Sequence, residues 1–312
     1  MPEYVSVEVP ASMRGSNLPT QLDGKVIISN SEVTDFLKCE RKHYYAYILG
    51  IVPKKMSTSL SRGIIGHQAL AEYYANDRNP SKAFRVIDKH AVDGTGDMDM
   101  LAGLRTLIGQ YFEYYQDDDK LFDIIEVETP HYMDLGEDYS YGMRLDLLTQ
   151  HKIGPYAGEK ILYDHKFQYD FMGVDDLALN VQIPKYIGTL RNDGHDVARG
   201  MLNQLRWRET KENKADISKK FKREPLSPPS TEIREVMREQ VLASERIADR
   251  KVAGAAVAKQ IALRSVNAMT CKNCPFVAPC KAERTGEDIT VMLAVDFQKN
   301  EYGYTEETAE DL

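Results

Sequence analysis

The chain has 312 residues, of which 42% are hydrophobic and 28% are charged, a composition typical of a globular protein with a substantial core. It contains no apolar run near the roughly 18 residues of a membrane helix, and its N-terminus lacks a basic-then-apolar signal peptide. Four cysteines do not make a disulfide scaffold. We therefore expect a cytoplasmic protein without membrane attachment, in whose reducing setting clustered cysteines bind metal.

The net charge of −8 argues against a protein that coats nucleic acid, but the charges are unevenly distributed. From Thr285 to Leu312 eight acids stand against one base, so this acidic tail carries −7. Eight bases lie between Arg206 and Arg223. A solvated lysine-rich loop is the simplest interpretation of such a run, although it also permits phosphate contacts. The candidate DNA contacts are Arg206, Arg208, Lys219, Lys220, Lys222 and Arg223.

The N-terminal part of the chain predicts helices after a short strand. Residues 1–27 show no periodicity and predict a loose arm, at whose end Lys25 to Ile28 predict the strand. Ser29 followed by Glu32 is a capping-box signal that opens the first helix. Apolar positions at helical spacing predict helices over about 31–48, 60–78 and 97–117.

The hydrophobic period then changes to that of strands. Strands are predicted over about 121–134, 139–150, 159–167 and 196–208, with helices over about 174–191 and 231–265. The basic segment is predicted as a loop, and the cysteine-rich residues 271–280 follow the last helix. Helices, then strands, then helices predict an α/β layered domain with helical additions over 28–284, followed by the acidic tail 285–312.

Asp164 and Lys166 lie near the end of the third predicted strand and share a face, from which His165 points away. Upstream, Asp146 interrupts an otherwise apolar strand, where a buried carboxylate is costly unless it is paired or ligates a metal. Carboxylates on neighbouring strands can hold Mg²⁺ or Mn²⁺, which polarises a phosphodiester and lowers the pKa of a bound water, and a lysine can act on that water. An ion pair between Asp164 and Lys166 fits these two segments equally well.

Two further features bear on this alternative. His67 lies among the apolar positions of the second predicted helix, as a third metal ligand or, more simply, as a hydrogen-bonded core histidine. Gln182 and Tyr186 are one helical turn apart and share a face. Each feature alone is a weak signal.

Four short motifs occur in an order and spacing that resemble the PD-(D/E)XK nucleases, specifically their RecB-like branch. The motifs are Gly-x-x-Gly-His67, Gly142-x-x-x-Asp146, Asp164-x-Lys166 and Gln182-x-x-x-Tyr186. The resemblance implies a restriction-endonuclease-like core, in which a central mixed sheet is flanked by helices.

The same resemblance implies a role for each motif residue. The implied ligands of Mg²⁺ or Mn²⁺ are His67, Asp146, Asp164 and the backbone carbonyl of His165. Lys166 would act on the attacking water, and Gln182 and Tyr186 would steady the lysine or the DNA backbone. Glu128 matches an acid often found on the preceding strand. Many members continue the lysine with Thr-Gly, whereas this chain continues with Phe-Gln, which bears on the DNA path and removes no ligand.

The cysteines are arranged as one plus three. Cys39 lies in the first predicted helix, and Cys271, Cys274 and Cys280 form a Cys-x2-Cys-x5-Cys segment. Four thiolates suit a tetrahedral zinc or an iron–sulfur cluster, and the tight triplet argues against four unrelated thiols. The arrangement resembles the iron-staple nucleases, which include CRISPR-associated RecB-like nucleases and AddB-type helicase–nucleases. That resemblance covers about residues 28–282 and implies a [4Fe-4S] cluster joining the helical N- and C-terminal additions.

These features predict a metal-dependent DNA nuclease, an exonuclease acting on single-stranded DNA or DNA ends in recombination, repair or phage DNA metabolism. The chain has no Walker-type glycine loop, so a helicase, recombinase or single-strand-binding protein would be a separate partner. Three alternatives stay open: a non-catalytic DNA-binding or adaptor subunit on the same fold, a zinc-stapled protein, and an endonuclease. The acidic tail is either disordered or a DNA mimic that occupies the basic channel.

Overall fold

The computed structural model describes Leu18 and residues 21–55, 57–94 and 96–300, so most of the predicted arm lies outside the described residues. The α-helices are α1 Asn30–Lys38, α2 Glu40–His43, α3 Thr58–Ala75, α4 Pro80–Val92, α5 Met98–Tyr115, α6 Val174–Ala178, α7 Gln182–Asn192, α8 Lys211–Ala215, α9 Ser230–Val252, α10 Gly254–Ile261, α11 Ala268–Cys271, α12 Val277–Arg284 and α13 Thr290–Asp296. The strands are β1 Gln21–Leu22, β2 Lys25–Ser29, β3 Ile51–Pro53, β4 Phe122–Val127, β5 Pro130–Asp134, β6 Tyr139–Arg144, β7 Leu147–His151, β8 Lys160–Gln168, β9 Val197–Arg206, β10 Phe221–Leu226 and β11 Phe297–Lys299. The predicted α/β class is confirmed. None of the described helices combines the length and the apolar composition that a bilayer crossing needs.

The described chain divides into two compact units, each of which brings together segments that are far apart in sequence. Unit 1 comprises residues 57–94, 96–131 and 144–237. Unit 2 comprises Leu18 and residues 21–55, 132–143 and 238–300.

Unit 1 is built on a five-stranded mixed sheet of order β10-β9-β8-β7-β4. β8 and β9 are parallel, and the other neighbouring strands are antiparallel. The register pairs Asp164 with Leu202 and Lys166 with Gln204. Because side chains alternate along a strand, this register holds Asp164 and Lys166 on one face of the sheet.

One hydrophobic core joins α3, α4 and α5 to this sheet. Leu70 of α3 and Ile108 of α5 are fully buried in it. α3 lies so close to β8 that a Cβ on Gly66 would come within 2.5 Å of the Phe167 ring. The glycine therefore permits the close approach that brings the next residue, His67, beside β8.

Unit 2 contains short helices and small sheets. A four-stranded sheet of order β1-β2-β6-β5 lies mostly in this unit, and β2 runs parallel to β6. β11 pairs with β3 in antiparallel register, with Phe297 opposite Pro53. The Phe276 ring stacks on the rings of Tyr45 and Phe297, each at 5.2 Å. The described part of the acidic tail is thus folded into α13 and β11, so the prediction of disorder is wrong for residues 290–299.

Two predicted helices are interrupted where the backbone leaves the helical region. The helix predicted over 31–48 is divided into α1, α2 and a π-helix, Tyr44–Ile48, because Cys39 has extended dihedrals of φ −167° and ψ 111°. The helix predicted over 231–265 ends at Val252 and restarts at Gly254, whose φ of +78° lies in the left-handed region that favours glycine.

Other differences follow from tertiary pairing. The strand predicted over 139–150 is two strands, because β6 pairs with β2 whereas β7 pairs with β4 and β8. The strand predicted over 121–134 likewise divides into β4 and β5, and the helix over 174–191 into α6 and α7. α4 is not among the predicted helices. The basic segment is not a simple loop, since it contains α8 and the beginning of β10.

Candidate active site and cysteine cavity

Asp146 lies in the break between β6 and β7, where it is held from several sides. Its Oδ2 accepts the N–H of His165 at 2.6 Å, and its Oδ1 lies 3.3 Å from Nδ1 of His67. Its backbone carbonyl accepts the N–H of Glu128 at 3.1 Å. Both carboxylate oxygens have defined partners, so the orientation of this side chain is fixed by the protein.

Glu128 completes a group of three side chains around Asp146. It follows β4 with a φ of +49°, and its carbonyl accepts a hydrogen bond from Arg144 Nη1 at 3.0 Å. One ligand atom from each of His67, Glu128 and Asp146 lies within 4.8 Å of the other two. Carboxylate oxygens and an imidazole nitrogen suit Mn²⁺ and tolerate Mg²⁺, so the residues fit a divalent cation.

Asp164 lies outside this group of three and is paired with Lys166. The Lys166 Nζ donates to Asp164 Oδ1 at 2.9 Å and lies 2.8 Å from Oδ2. Oδ2 is buried and accepts no hydrogen bond, so its contact with Lys166 is that of an ion pair only. The ion pair considered from the sequence is therefore present, and it leaves one carboxylate oxygen available to a cation.

The start of α7 supports the lysine from the other side. Gln182 Oε1 accepts from Lys166 Nζ at 2.9 Å, while its Nε2 donates to Asp164 Oδ1 at 3.2 Å and to the Tyr186 hydroxyl at 3.1 Å. Asn180 Oδ1 accepts the N–H groups of Gln182 and Ile183, each at 3.0 Å, and so caps the helix. The amide of Gln182 is thus held in a single orientation.

The charged groups of the site act on one another's pKa values. Burial raises the pKa of Glu128 to about 7, and the neighbouring Asp146 carboxylate adds to this. Burial opposes a charge on His67, but the Asp146 carboxylate outweighs it and raises the His67 pKa to about 9. Burial likewise opposes the charge of Asp146, whereas His67 holds the Asp146 pKa well below its usual range.

Lys166 is a cation in this arrangement. Burial disfavours the charged form, but the Asp164 carboxylate raises the pKa of Lys166 above its ordinary value. Burial also raises the pKa of Asp164, and Lys166 opposes that rise.

The His165 ring packs into the core of unit 1. It stacks on Tyr74 with ring centroids 5.8 Å apart, and its Nδ1 lies 2.8 Å from Nδ2 of Asn203. Burial lowers its pKa to about 3, so the ring is neutral and accepts the Asn203 amide proton. The ring is committed to the core, and a role for the His165 backbone carbonyl in metal binding stays a prediction.

The six predicted DNA contacts are divided between the interior and the surface. Arg223 donates to Asp119 at 2.6 Å and to Tyr111 at 2.8 Å, and only 10% of its side chain is exposed. Lys220 is also buried and donates to Gln110 at 3.0 Å. These two cations are thus neutralised or hydrogen-bonded inside unit 1.

The other four lie nearer the surface. Arg206 and Arg208 both pair with Asp170 at 3.1 Å, although Arg206 is only 15% exposed and Arg208 is 46% exposed. Lys219 is exposed, and Lys222 is 45% exposed beside Glu224. Of the six predicted DNA contacts, Arg208, Lys219 and Lys222 are therefore exposed.

All four cysteines line one cavity of about 170 Å³ in unit 2. Cys39 reaches it from the extended break after α1, and the other three come from α11, α12 and the turn between them. Five basic residues share the lining, namely Arg41, Lys42, Arg264, Lys281 and Arg284. Within the described part of the chain, no three cysteine sulfurs lie within 4.8 Å of one another.

Glu128 is the site residue whose role the sequence left most open. Its signal was an acid within the strand predicted over 121–134, without an indication of its partners. The fold supplies the partners, because the left-handed turn after β4 brings Glu128 to Asp146.

Three comparisons with known proteins bear on this site. A family model described as the PD-(D/E)XK nuclease superfamily matches residues 27–281. No curated protein matches the chain. Among solved structures, SSO0001 is 14% identical with a TM-score of 0.38, covering 84% of this chain and 88% of its own. A "Putative exonuclease" from Eubacterium rectale is 12% identical with a TM-score of 0.45, covering 81% of this chain and 87% of its own.

Proposed function

Because the chain belongs to the PD-(D/E)XK nuclease superfamily, we propose that it is a metal-dependent deoxyribonuclease, acting as an exonuclease on single-stranded DNA or DNA ends. The observation that carries the proposal is the position of Lys166 of β8, whose Nζ is held between Asp164 of the same strand and Gln182 of α7. A lysine fixed beside carboxylates that fit a cation is the arrangement that phosphodiester hydrolysis needs.

Nucleases of this superfamily use divalent metals, and His67, Glu128 and Asp146 would hold one here, with the unused oxygen of Asp164 as a further ligand. Bound Mg²⁺ or Mn²⁺ would polarise the phosphodiester and lower the pKa of the attacking water. The low pKa of Asp146 keeps this carboxylate ionised at neutral pH.

Lys166 contributes a fixed positive charge. Its raised pKa keeps Nζ protonated, so it cannot accept the proton of the attacking water in this state. Two of its three N–H groups are bonded to Asp164 and Gln182, and the third is available to a phosphate oxygen or to the water. Lys166 thus orients the reactants and stabilises the negative charge that develops on the phosphate.

Gln182 and Tyr186 act as positioning residues. The Gln182 amide bonds Lys166 and Asp164 at once, and the Tyr186 hydroxyl fixes which way that amide faces. We further propose that Arg208, Lys219 and Lys222 contact the DNA backbone, since they are the exposed residues among the six predicted contacts. The proposal leaves out Lys220 and Arg223, whose side chains are internal.

A test of this function is an anaerobic cleavage assay with Mg²⁺ or Mn²⁺ on linear single-stranded DNA labelled at either end, and on closed circles. We expect wild-type protein to degrade the linear DNA and to leave circles intact. Lys166→Met should reduce the rate by about 10²–10³-fold, whereas the control Lys160→Met, on the same strand, should not. Cutting of circles would indicate an endonuclease, and folded wild type that binds DNA without cutting it would indicate an adaptor subunit.

We also propose that the cysteine cavity holds a [4Fe-4S] cluster. The donor set supports this, because four thiols line one cavity and five basic residues complement the negative charge of a thiolate-ligated cluster. A brown preparation supports the cluster, and a colourless one with bound zinc would overturn it.

A further inference from the structure

A second group of potential ligands lies at the other end of α7 and is not used in the proposed cleavage. It consists of Glu126 near the end of β4, His131 in β5 and His195 in the turn before β9. One ligand atom from each of the three lies within 4.8 Å of the others. All three belong to unit 1, as do His67 and the other residues of the candidate active site.

The two acids at the end of β4 serve different groups. Glu128 belongs with His67 and Asp146, whereas Glu126 faces the two histidines. Glu126 Oε2 lies 2.7 Å from His131 Nε2, and its Oε1 lies 3.5 Å from His195 Nε2. Two imidazole nitrogens thus converge on one carboxylate, which is a ligand set for a transition-metal ion rather than for Mg²⁺.

Asp193 gives this group the outer support of a metal site. Its Oδ2 lies 2.7 Å from His131 Nδ1, on the far side of the ring from Glu126. A carboxylate on the second ring nitrogen is the usual partner of a metal-bound histidine, because it fixes the tautomer and the ring plane. His131 is only 5% exposed, so its position is set by packing as well as by these bonds.

We propose that Glu126, His131 and His195 bind a zinc-class divalent metal ion, with Asp193 as the residue that orients His131. Ligands of one zinc ion are about 3–4 Å apart, so the side chains need to move only slightly to coordinate it. The ion would fasten the turn after α7 to β4 and β5, at the opposite end of the helix from Gln182. Its role is structural, and it leaves the Mg²⁺ or Mn²⁺ site untouched.

The experiment uses the full chain with the proposed iron–sulfur cluster bound in the cysteine cavity. One equivalent of zinc is added in the presence of excess Mg²⁺, and the protein is then desalted. Zinc is counted by mass spectrometry, and its ligands are identified by X-ray absorption. We expect one zinc ion per chain, with nitrogen and oxygen neighbours near about 2.0 Å and no sulfur shell near about 2.3 Å.

Matched variants locate the ion. His195→Gln should lose the zinc and Asp193→Asn should weaken its binding by about 10–100-fold, whereas His67→Gln should retain it. Circular dichroism confirms that each variant is folded. A sulfur shell in the wild type, no retained zinc, or zinc that is lost in His67→Gln and kept in His195→Gln would each overturn the proposal. If His195→Gln does not fold, the wild-type absorption spectrum and Asp193→Asn still decide it.

Discussion

The candidate active site and the cysteine cavity are organised in opposite ways. In unit 1, Asp146, Lys166 and Gln182 are held by hydrogen bonds to strands and to a capped helix. In unit 2, the four thiols come from an extended break and from short helices around a cavity. The first site is oriented by hydrogen bonds of the protein itself, whereas the proposed cluster would join the walls of the second.

This difference in organisation indicates which interactions stabilise each region. The side chains of the active site lie against a core that contains fully buried Leu70 and Ile108. Unit 2 has a smaller core, in which Phe276 links Tyr45 to Phe297 beside the cysteines. A cluster bound only by the folded form would stabilise unit 2 directly, and its loss should be felt there first.

The largest expected effect is on unit 2 and follows removal of one cluster ligand. Cys274→Ser should abolish the brown colour and lower the free energy of unfolding by about 4 kcal/mol or more. This is the stabilisation given by a ligand whose concentration is about 1,000 times its Kd or higher. Cleavage per folded molecule should stay close to that of wild type, because the catalytic side chains belong to unit 1. Wild type produced without iron is the control and should unfold like the variant. A colourless variant that unfolds like iron-loaded wild type would remove the distinction between the two regions.

The next effect tests the folded part of the tail. Phe297 is 6% exposed and stacks on Phe276, so Phe297→Ala should destabilise the protein by about 3–5 kcal/mol in urea unfolding. Gln298→Ala, at the exposed neighbouring position of β11, is the control and should have little effect. Equal stability of both variants would show that β11 does not pack in solution.

A smaller effect is expected at the start of α7. Gln182→Ala removes bonds to Lys166, Asp164 and Tyr186, and hydrogen bonds to charged groups contribute about 1.5–3 kcal/mol. We expect kcat to fall by about 10–150-fold with little change in KM for DNA, because these bonds position the lysine. Tyr186→Phe removes only the acceptor of the amide and should cost less. A larger loss in Tyr186→Phe than in Gln182→Ala would show that the tyrosine acts directly on substrate.

The sequence predicted which candidate site residues lie together better than it predicted the backbone that carries them. Asp164 and Lys166 share a face because strands alternate with period two, and this local rule survives any tertiary context. The break that contains Asp146 depends on β6 and β7 pairing with different strands, and no local pattern encodes that choice. The same pairing leaves Glu128 with Asp146 and His67, and Lys166 with Asp164 and Gln182.

The helix boundaries of the structure differ from the predicted ones for two physical reasons. Cys39 lies in a sequence of helical character, but its backbone is extended, and the residue lines the cavity. α4 carried a readable start signal, since Asn79 caps it and Pro80 occupies the first turn. Its sparse apolar pattern hid it, because only Ala83 and Ile87 are buried.

The smallest expected effect concerns the pH dependence of metal binding at the active site. In the absence of metal, burial and Asp146 raise the pKa of Glu128 to about 7, so roughly a tenth of Glu128 is ionised at pH 6 and nine tenths at pH 8. Metal binding requires the ionised carboxylate, and the affinity therefore rises with pH. Calorimetric titration with Mn²⁺ should show that the advantage of wild type over Glu128→Gln grows about tenfold between pH 6 and pH 8. Glu113→Gln, which removes an exposed acid from α5, should follow wild type at both pH values. A pH-independent ratio would mean that Glu128 is not a ligand and that Asp146 binds the metal without it.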